Sequence, residues 1–181
     1  LCSVLPASAA PQGDFGLLVM AHGGTPEWNA TVRRAIEPLE DEMPVALALG
    51  MADAVSLEEA VRALEAQGVE RIGVVRLFVS GDSWLERTEQ ILGLTEGAPP
   101  RASHAHDPEC PSAGQADADC PESRHRMAFY RVPSDAVFAL SRQGLNEAPE
   151  AGRILLERAR ALSEDPSRED VLVLAHGVGD P

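Results

Sequence analysis

Phe15-Gly16-Leu17-Leu18-Val19-Met20-Ala21-His22-Gly23-Gly24, residues 15–24, decides the fold of this 181-residue chain. Its first seven residues form a continuous apolar run. Such a run is the pattern of a strand buried on both faces, as in a parallel sheet, rather than one with a wet side. It stops abruptly at a histidine and two glycines. Thr25 and Pro26 follow as an N-cap and first helical residue, and Trp28, Val32, Ala35, Ile36 and Leu39 recur behind them at helical spacing. Strand therefore passes directly into helix.

The same alternation continues downstream. Val45–Leu49 reads as a second strand, and Ser56-Leu57-Glu58-Glu59 reads as a capping box. The helix it opens carries Leu57, Ala60, Val61 and Leu64 on one face and stops at Gly68. Residues 72–79 form a third strand, and Ser83-Trp84-Leu85-Glu86 offers a second capping box for a helix through Leu92. Alternating strands and helices with right-handed crossovers build a doubly wound parallel sheet, so the fold class expected is α/β. Ligands of that architecture sit beyond the carboxyl ends of the strands, where His22 and residues 80–83 both fall.

Residues 95–134 are rich in Pro, Ala, Asp, Ser and Gly without apolar periodicity, and read as an inserted irregular loop lacking its own core. Regular structure is expected again at Asp135–Leu140 as a strand, followed by a helix carrying Ala151, Ile154, Leu155, Ala159 and Leu162. Val171 to Ala175 then reads as a further strand running into His176-Gly177. Leu18 to Gly23 aligns with Leu172 to Gly177, which suggests an internal duplication. The expected organisation is a tail at residues 1–13, one lobe at 14–168 with the insertion inside it, and the start of a second repeat at 169–181.

Bulk composition narrows the partners. All 15 basic residues are arginine against 29 acidic ones, a formal charge of −14, which disfavours nucleic acid and anionic lipid surfaces. No segment reads as a membrane span. Leu1 to Pro6 followed by Ala7-Ser8-Ala9-Ala10 fits the tail of a secretory signal and, with it, a periplasmic or exported protein; it fits equally an N-terminal remnant without a targeting role, and the protein would then be cytoplasmic.

Histidine at the end of a buried parallel strand, with Gly23 and Gly24 letting a ligand approach the backbone, is placed as a metal ligand or general base would be. By position alone it could equally be structural, bonding across the strand ends. Other chemistries lack their motifs: there is no Gly-x-Ser-x-Gly elbow to make His22-Gly23-Gly24 an esterase oxyanion loop. Nor is there a Gly-x-x-x-x-Gly-Lys phosphate loop or a Gly-x-Gly-x-x-Gly fingerprint, so no nucleotide is expected.

Taken together, residues 15–25, Leu49-Gly50-Met51-Ala52-Asp53 with Ser56 to Ala60, Gln67-Gly68-Val69 and Leu77-Phe78-Val79 resemble the sirohydrochlorin cobaltochelatases and ferrochelatases. These are the ATP-independent class II chelatases. Gly144-Leu145, Ile154 to Ala159 and Ala175-His176-Gly177 also resemble the end of one family repeat and the start of the next. The resemblance covers roughly residues 15–94 and 135–181. It implies a chelatase-like lobe, a tetrapyrrole such as sirohydrochlorin held in a cleft, insertion of Co²⁺ or Fe²⁺ as substrate, and a place in cobalamin or siroheme biosynthesis. Homo-oligomers are compatible with it. His22 matches the family's first histidine, as metal ligand and acceptor of pyrrole protons, and an imidazole suits both tasks.

The chain departs from the family at the second histidine. Where a Gly-x-His is usual after the Leu-Phe strand, it has Gly81-Asp82-Ser83. Ser83 reads as a helix N-cap. Asp82 reads either as a carboxylate metal ligand beside the missing histidine or as an acid favoured by the helix dipole. Arg76 stands where the family usually has proline, and reads either as a partner for a tetrapyrrole carboxylate or as a snorkelling edge residue. The insertion holds His104, His106, Asp107, Cys110, Cys120 and His125, which would suit a metal-capturing arm. In an exported protein Cys110 and Cys120 would instead pair, closing a loop of 11 residues worth about 3 kcal/mol on the entropic model.

Overall fold

The computed structural model describes residues 14–101 and 127–174. Its elements run β1 (Phe15–Ala21), α1 (Pro26–Glu40), β2 (Val45–Leu49), α2 (Ala54–Glu65), β3 (Arg71–Leu77), α3 (Leu85–Ile91), β4 (Val137–Leu140), a 3-10 turn at Leu145–Glu147 and α4 (Pro149–Leu162). All four strands are parallel in the order β2-β1-β3-β4. The α/β parallel sheet expected from the apolar runs is the fold observed.

Strand order fixes where the helices go. The chain crosses one way from β1 to β2 and the other way from β2 to β3, so right-handed crossovers put α1 on one face and α2 with α3 on the other. The core lies on the α2 face. Leu18, Met20, Ala46, Ala48, Ile72 and Val74 alternate along the strands and pack there against Leu57, Val61, Leu64 and Ile91. Burial of each large aliphatic contributes roughly 1.5–3 kcal/mol. The α1 face is thinner: Val19 and Ile36 are buried on it, while most neighbouring strand residues stay half-covered.

Thr25 caps α1 as read, its hydroxyl accepting from the Trp28 amide at 3.3 Å. The two capping boxes do not form. Asp53, not Ser56, caps α2, with Oδ2 accepting from the Ser56 amide at 3.1 Å and Oδ1 from the Ala128 amide at 2.7 Å. A cap serving two segments 75 residues apart starts the helix one turn early. Ser83 caps nothing; α3 is entered through Trp84 in the left-handed conformation, φ 58°, without a side-chain cap.

The carboxyl end of the insertion is also more ordered than its composition suggests. Arg131 bridges to Pro100, Val132 is 3% exposed in the core, and Ala128, Phe129 and Tyr130 pack against it. Buried Glu58 ties this return segment down. It accepts from Tyr130 Oη at 2.6 Å, from Arg101 Nη1 at 2.5 Å, and from Arg62. Arg87 reinforces the tie, donating to the Ala52, Met127 and Ala128 carbonyls and lying 4.5 Å from the centre of the Phe129 ring. By contrast, Val171 to Leu174 form no strand and are 66–83% exposed, and no strand among the described residues pairs with them.

Burial and the Glu58 carboxylate push the Tyr130 phenol up to about 12. A folded-state pKa raised above the unfolded value of about 10 adds stability that is complete below pH 10 and disappears as pH rises toward 12. Tyr130 is the chain's single tyrosine and lysine is absent, so above pH 10, beyond the ordinary range of the three cysteine thiols, this group dominates the titration. We expect Tyr130→Phe to lose less thermal stability than wild type between pH 10 and 12. Melting temperatures across that range check it, and parallel curves would contradict it.

Candidate functional site

Four turns cross the carboxyl edge of the sheet, and the two central ones follow β1 and β3. These strands are the point from which the chain winds in opposite directions, which is where such sheets leave a crevice. Ala21 pairs with both Leu49 and Leu77, so His22 stands at the mouth of that crevice beside the start of the β3 turn.

Local sequence holds His22 there. Gly23 takes φ +78°, a left-handed conformation that a side chain would strain, and this turns the chain sharply off the strand. Asn29 then clamps the turn from α1, accepting from the Gly24 amide at 2.9 Å and donating to its carbonyl at 3.2 Å. His22 is exposed, with Nδ1 3.0 Å from the Gly23 carbonyl. A carbonyl only accepts, so this contact calls for the proton on Nδ1 and, in the neutral ring, leaves Nε2 for a ligand. An exposed imidazole held this way can ligate a metal or take up a proton. Trp28, read from sequence only as one of the residues at helical spacing in α1, is 41% exposed and packs over Gly24 next to this histidine. Across the crevice Val79 is 68% exposed.

Arg76 takes neither of the roles read for it. It is 2% exposed and points along the sheet into the base of the turns rather than into a cleft. Its guanidinium donates to the carbonyls of Gly81 at 2.5 Å, Ser83 at 2.7 Å, Ser141 at 2.9 Å and Arg142 at 3.3 Å. Burial lowers its pKa, and the carboxylates of Glu89 and Asp82 act against that fall. One buried cation thus staples the β3 and β4 turns together. Gly81 and Gly144 make the approach possible, since a Cβ on either would collide with the backbone of the other turn.

Asp82 lies at the surface of the turn Arg76 holds, its amide donating to Ser80 Oγ at 3.2 Å. Among the described residues, no three or more His, Cys, Asp or Glu side chains gather closely enough to hold a metal ion. His104, His106, Asp107, Cys110, Cys120, His125 and His176 lie outside the described residues. A broad cavity of about 750 Å³ sits at the opposite edge of the sheet, lined by Glu65, Pro100, Arg101, Arg131 and Ser134, and has no part in the His22 site. No helix among the described residues is long and apolar enough to cross a membrane.

Comparison with known proteins agrees with this geometry in one respect. The sequence model of the CbiX family matches residues 16–91, the stretch from β1 through α3 that contains His22, Arg76 and Asp82. No curated protein matches the chain.

Proposed function

We propose that this chain, whose residues 16–91 match the CbiX family model, is a class II tetrapyrrole chelatase that inserts a divalent metal, cobalt or iron, into a sirohydrochlorin-type ring without ATP. The observation that carries the reading is His22: an exposed imidazole at the mouth of the switch-point crevice, its Nδ1 turned to the Gly23 carbonyl. Insertion of M²⁺ releases two pyrrole protons. A neutral imidazole can hold the incoming metal and, once it has passed on, accept one of those protons, the other passing to solvent water. Gly23 and Gly24 keep the turn low so that a flat ring can approach. Trp28 and Val79 offer apolar surface to its faces, and Asp82 is the proposed second metal contact from across the crevice. Export of the protein is part of this proposal and rests on residues 1–10 alone.

One observation favours a second reading, a metal- or tetrapyrrole-binding protein that does not turn over. Gly81-Asp82-Ser83 stands where the family usually has its second histidine. Both readings place the ring against Trp28, one of only two tryptophans. Titrating sirohydrochlorin into the full chain should therefore quench tryptophan emission, and Trp28→Phe should remove most of that quenching. Quenching unchanged in Trp28→Phe would put the ring elsewhere.

A further inference from the structure

Two consecutive glycines leave the turn after β1 with little orientation of its own. Gly23 takes φ +78°, and neither it nor Gly24 has a Cβ to restrict rotation of the peptide group between them. His22 depends on that peptide group. Its Nδ1 lies 3.0 Å from the Gly23 carbonyl oxygen, and a bond at one ring nitrogen decides where the other nitrogen points. The Gly24 amide is the far end of the same planar trans unit, so its N–H is directed opposite to that carbonyl. Whatever holds the N–H therefore aims the carbonyl.

Asn29 holds it. Oδ1 accepts from the Gly24 amide at 2.9 Å and Nδ2 donates to the Gly24 carbonyl at 3.2 Å, so one carboxamide fixes two successive peptide groups. The carboxamide has a firm base. Asn29 is half-buried in the first turns of α1, its own amide donating to the Thr25 carbonyl at 2.9 Å, and Thr25 caps the same helix. The path from helix to histidine is short: carboxamide, peptide plane, imidazole. Donation by the Gly24 N–H also polarises the peptide group, which strengthens the Gly23 carbonyl as an acceptor. Groups one step behind a metal ligand commonly orient it in this way.

We infer that Asn29 is a positioning residue of the proposed metal site, acting through the Gly23–Gly24 peptide group to hold the His22 imidazole so that Nε2 is left for the metal. The inference rests on the reading of His22 as metal ligand and proton acceptor, and supplies the group that sets its direction.

Two substitutions in the full chain separate positioning from a structural role. Asn29→Leu keeps the shape of the side chain and raises helix propensity, but removes both hydrogen bonds. Asn29→Asp keeps the acceptor for the Gly24 amide and loses only the donor, because a carboxylate only accepts. The order of the His22 imidazole is read by NMR carbon relaxation, beside steady-state Co²⁺ insertion into sirohydrochlorin and thermal melting. Asn29→Leu is expected to loosen the imidazole and lower kcat by about 10–100-fold, with the KM for the tetrapyrrole and the melting temperature close to wild type. Asn29→Asp is expected to keep the imidazole ordered and recover most of kcat. An imidazole as ordered in Asn29→Leu as in wild type overturns the inference, as does a loosened imidazole with unchanged kcat. So does an Asn29→Asp chain that fails alongside Asn29→Leu, or a melting temperature that falls with kcat. A wild type that metallates no tetrapyrrole removes the chelatase reading instead, and the order of the imidazole in the two variants then decides the inference alone.

Discussion

Arg76→Met is expected to cost about 3–5 kcal/mol of stability, a large fraction of the 5–15 kcal/mol typical of a folded domain. Methionine fills much the same volume, so packing changes little. What changes is that four carbonyls, at Gly81, Ser83, Ser141 and Arg142, lose their donor together. Each stranded acceptor costs about 1–3 kcal/mol unless the turn moves to reach water, and movement would break the close packing of Gly81 against Gly144. Thermal unfolding should drop by on the order of 10 °C. Arg76→Lys should lie between, because an ammonium keeps the charge but cannot reach both turns at once. A methionine variant within about 1 kcal/mol of wild type would show that the guanidinium is not the staple.

His22→Ala should behave in the opposite way, leaving stability untouched and removing activity. The side chain is exposed and its one hydrogen bond is to the adjacent carbonyl, so melting should stay within about 0.5 kcal/mol of wild type. A lost general base alone lowers rates by about 10²–10⁴, and His22 is proposed also to hold the metal. Steady-state metallation with saturating Co²⁺ checks this. The loss should appear in kcat more than in the KM for the ring, which Trp28 and Val79 are proposed to contact. Asp82→Asn should produce a smaller loss. Equal rates in wild type and His22→Ala would remove His22 from the chemistry.

Much of this was legible in the sequence because the signals are local. The apolar run of residues 15–21 and the spacing behind Pro26 need only neighbours within a turn or a strand, and α1, α2 and β1 to β3 lie close to where the pattern puts them. The failures share a cause: in each, a distant partner decides. Asp53 rather than Ser56 caps α2 because Ala128 completes its carboxylate. Residues 127–132 read as loop because their packing partners, Ile91, Glu58 and Arg87, lie on helices far back in the chain. Val171 to Leu174 have the composition of a strand, but a strand exists only where another offers its backbone.

The site shows the same division. His22 was readable because a strand end followed by glycines is a local feature. Arg76 was not, since its acceptors are set by the juxtaposition of the β3 and β4 turns, 65 residues apart at Ser141. Trp28 was read only as one of the residues at helical spacing in α1, and spacing says nothing about how far a helix end overhangs its sheet.

The measurement that bears most directly on the central claim is the number of sirohydrochlorin rings metallated per chain, followed by absorbance with catalytic amounts of the full protein and excess Co²⁺ or Fe²⁺. A chelatase centred on His22 predicts many rings per chain, with His22→Ala no faster than metal and ring alone. At most one ring per chain, or metallation at the rate seen without protein, would contradict the enzyme and leave a binding protein in its place.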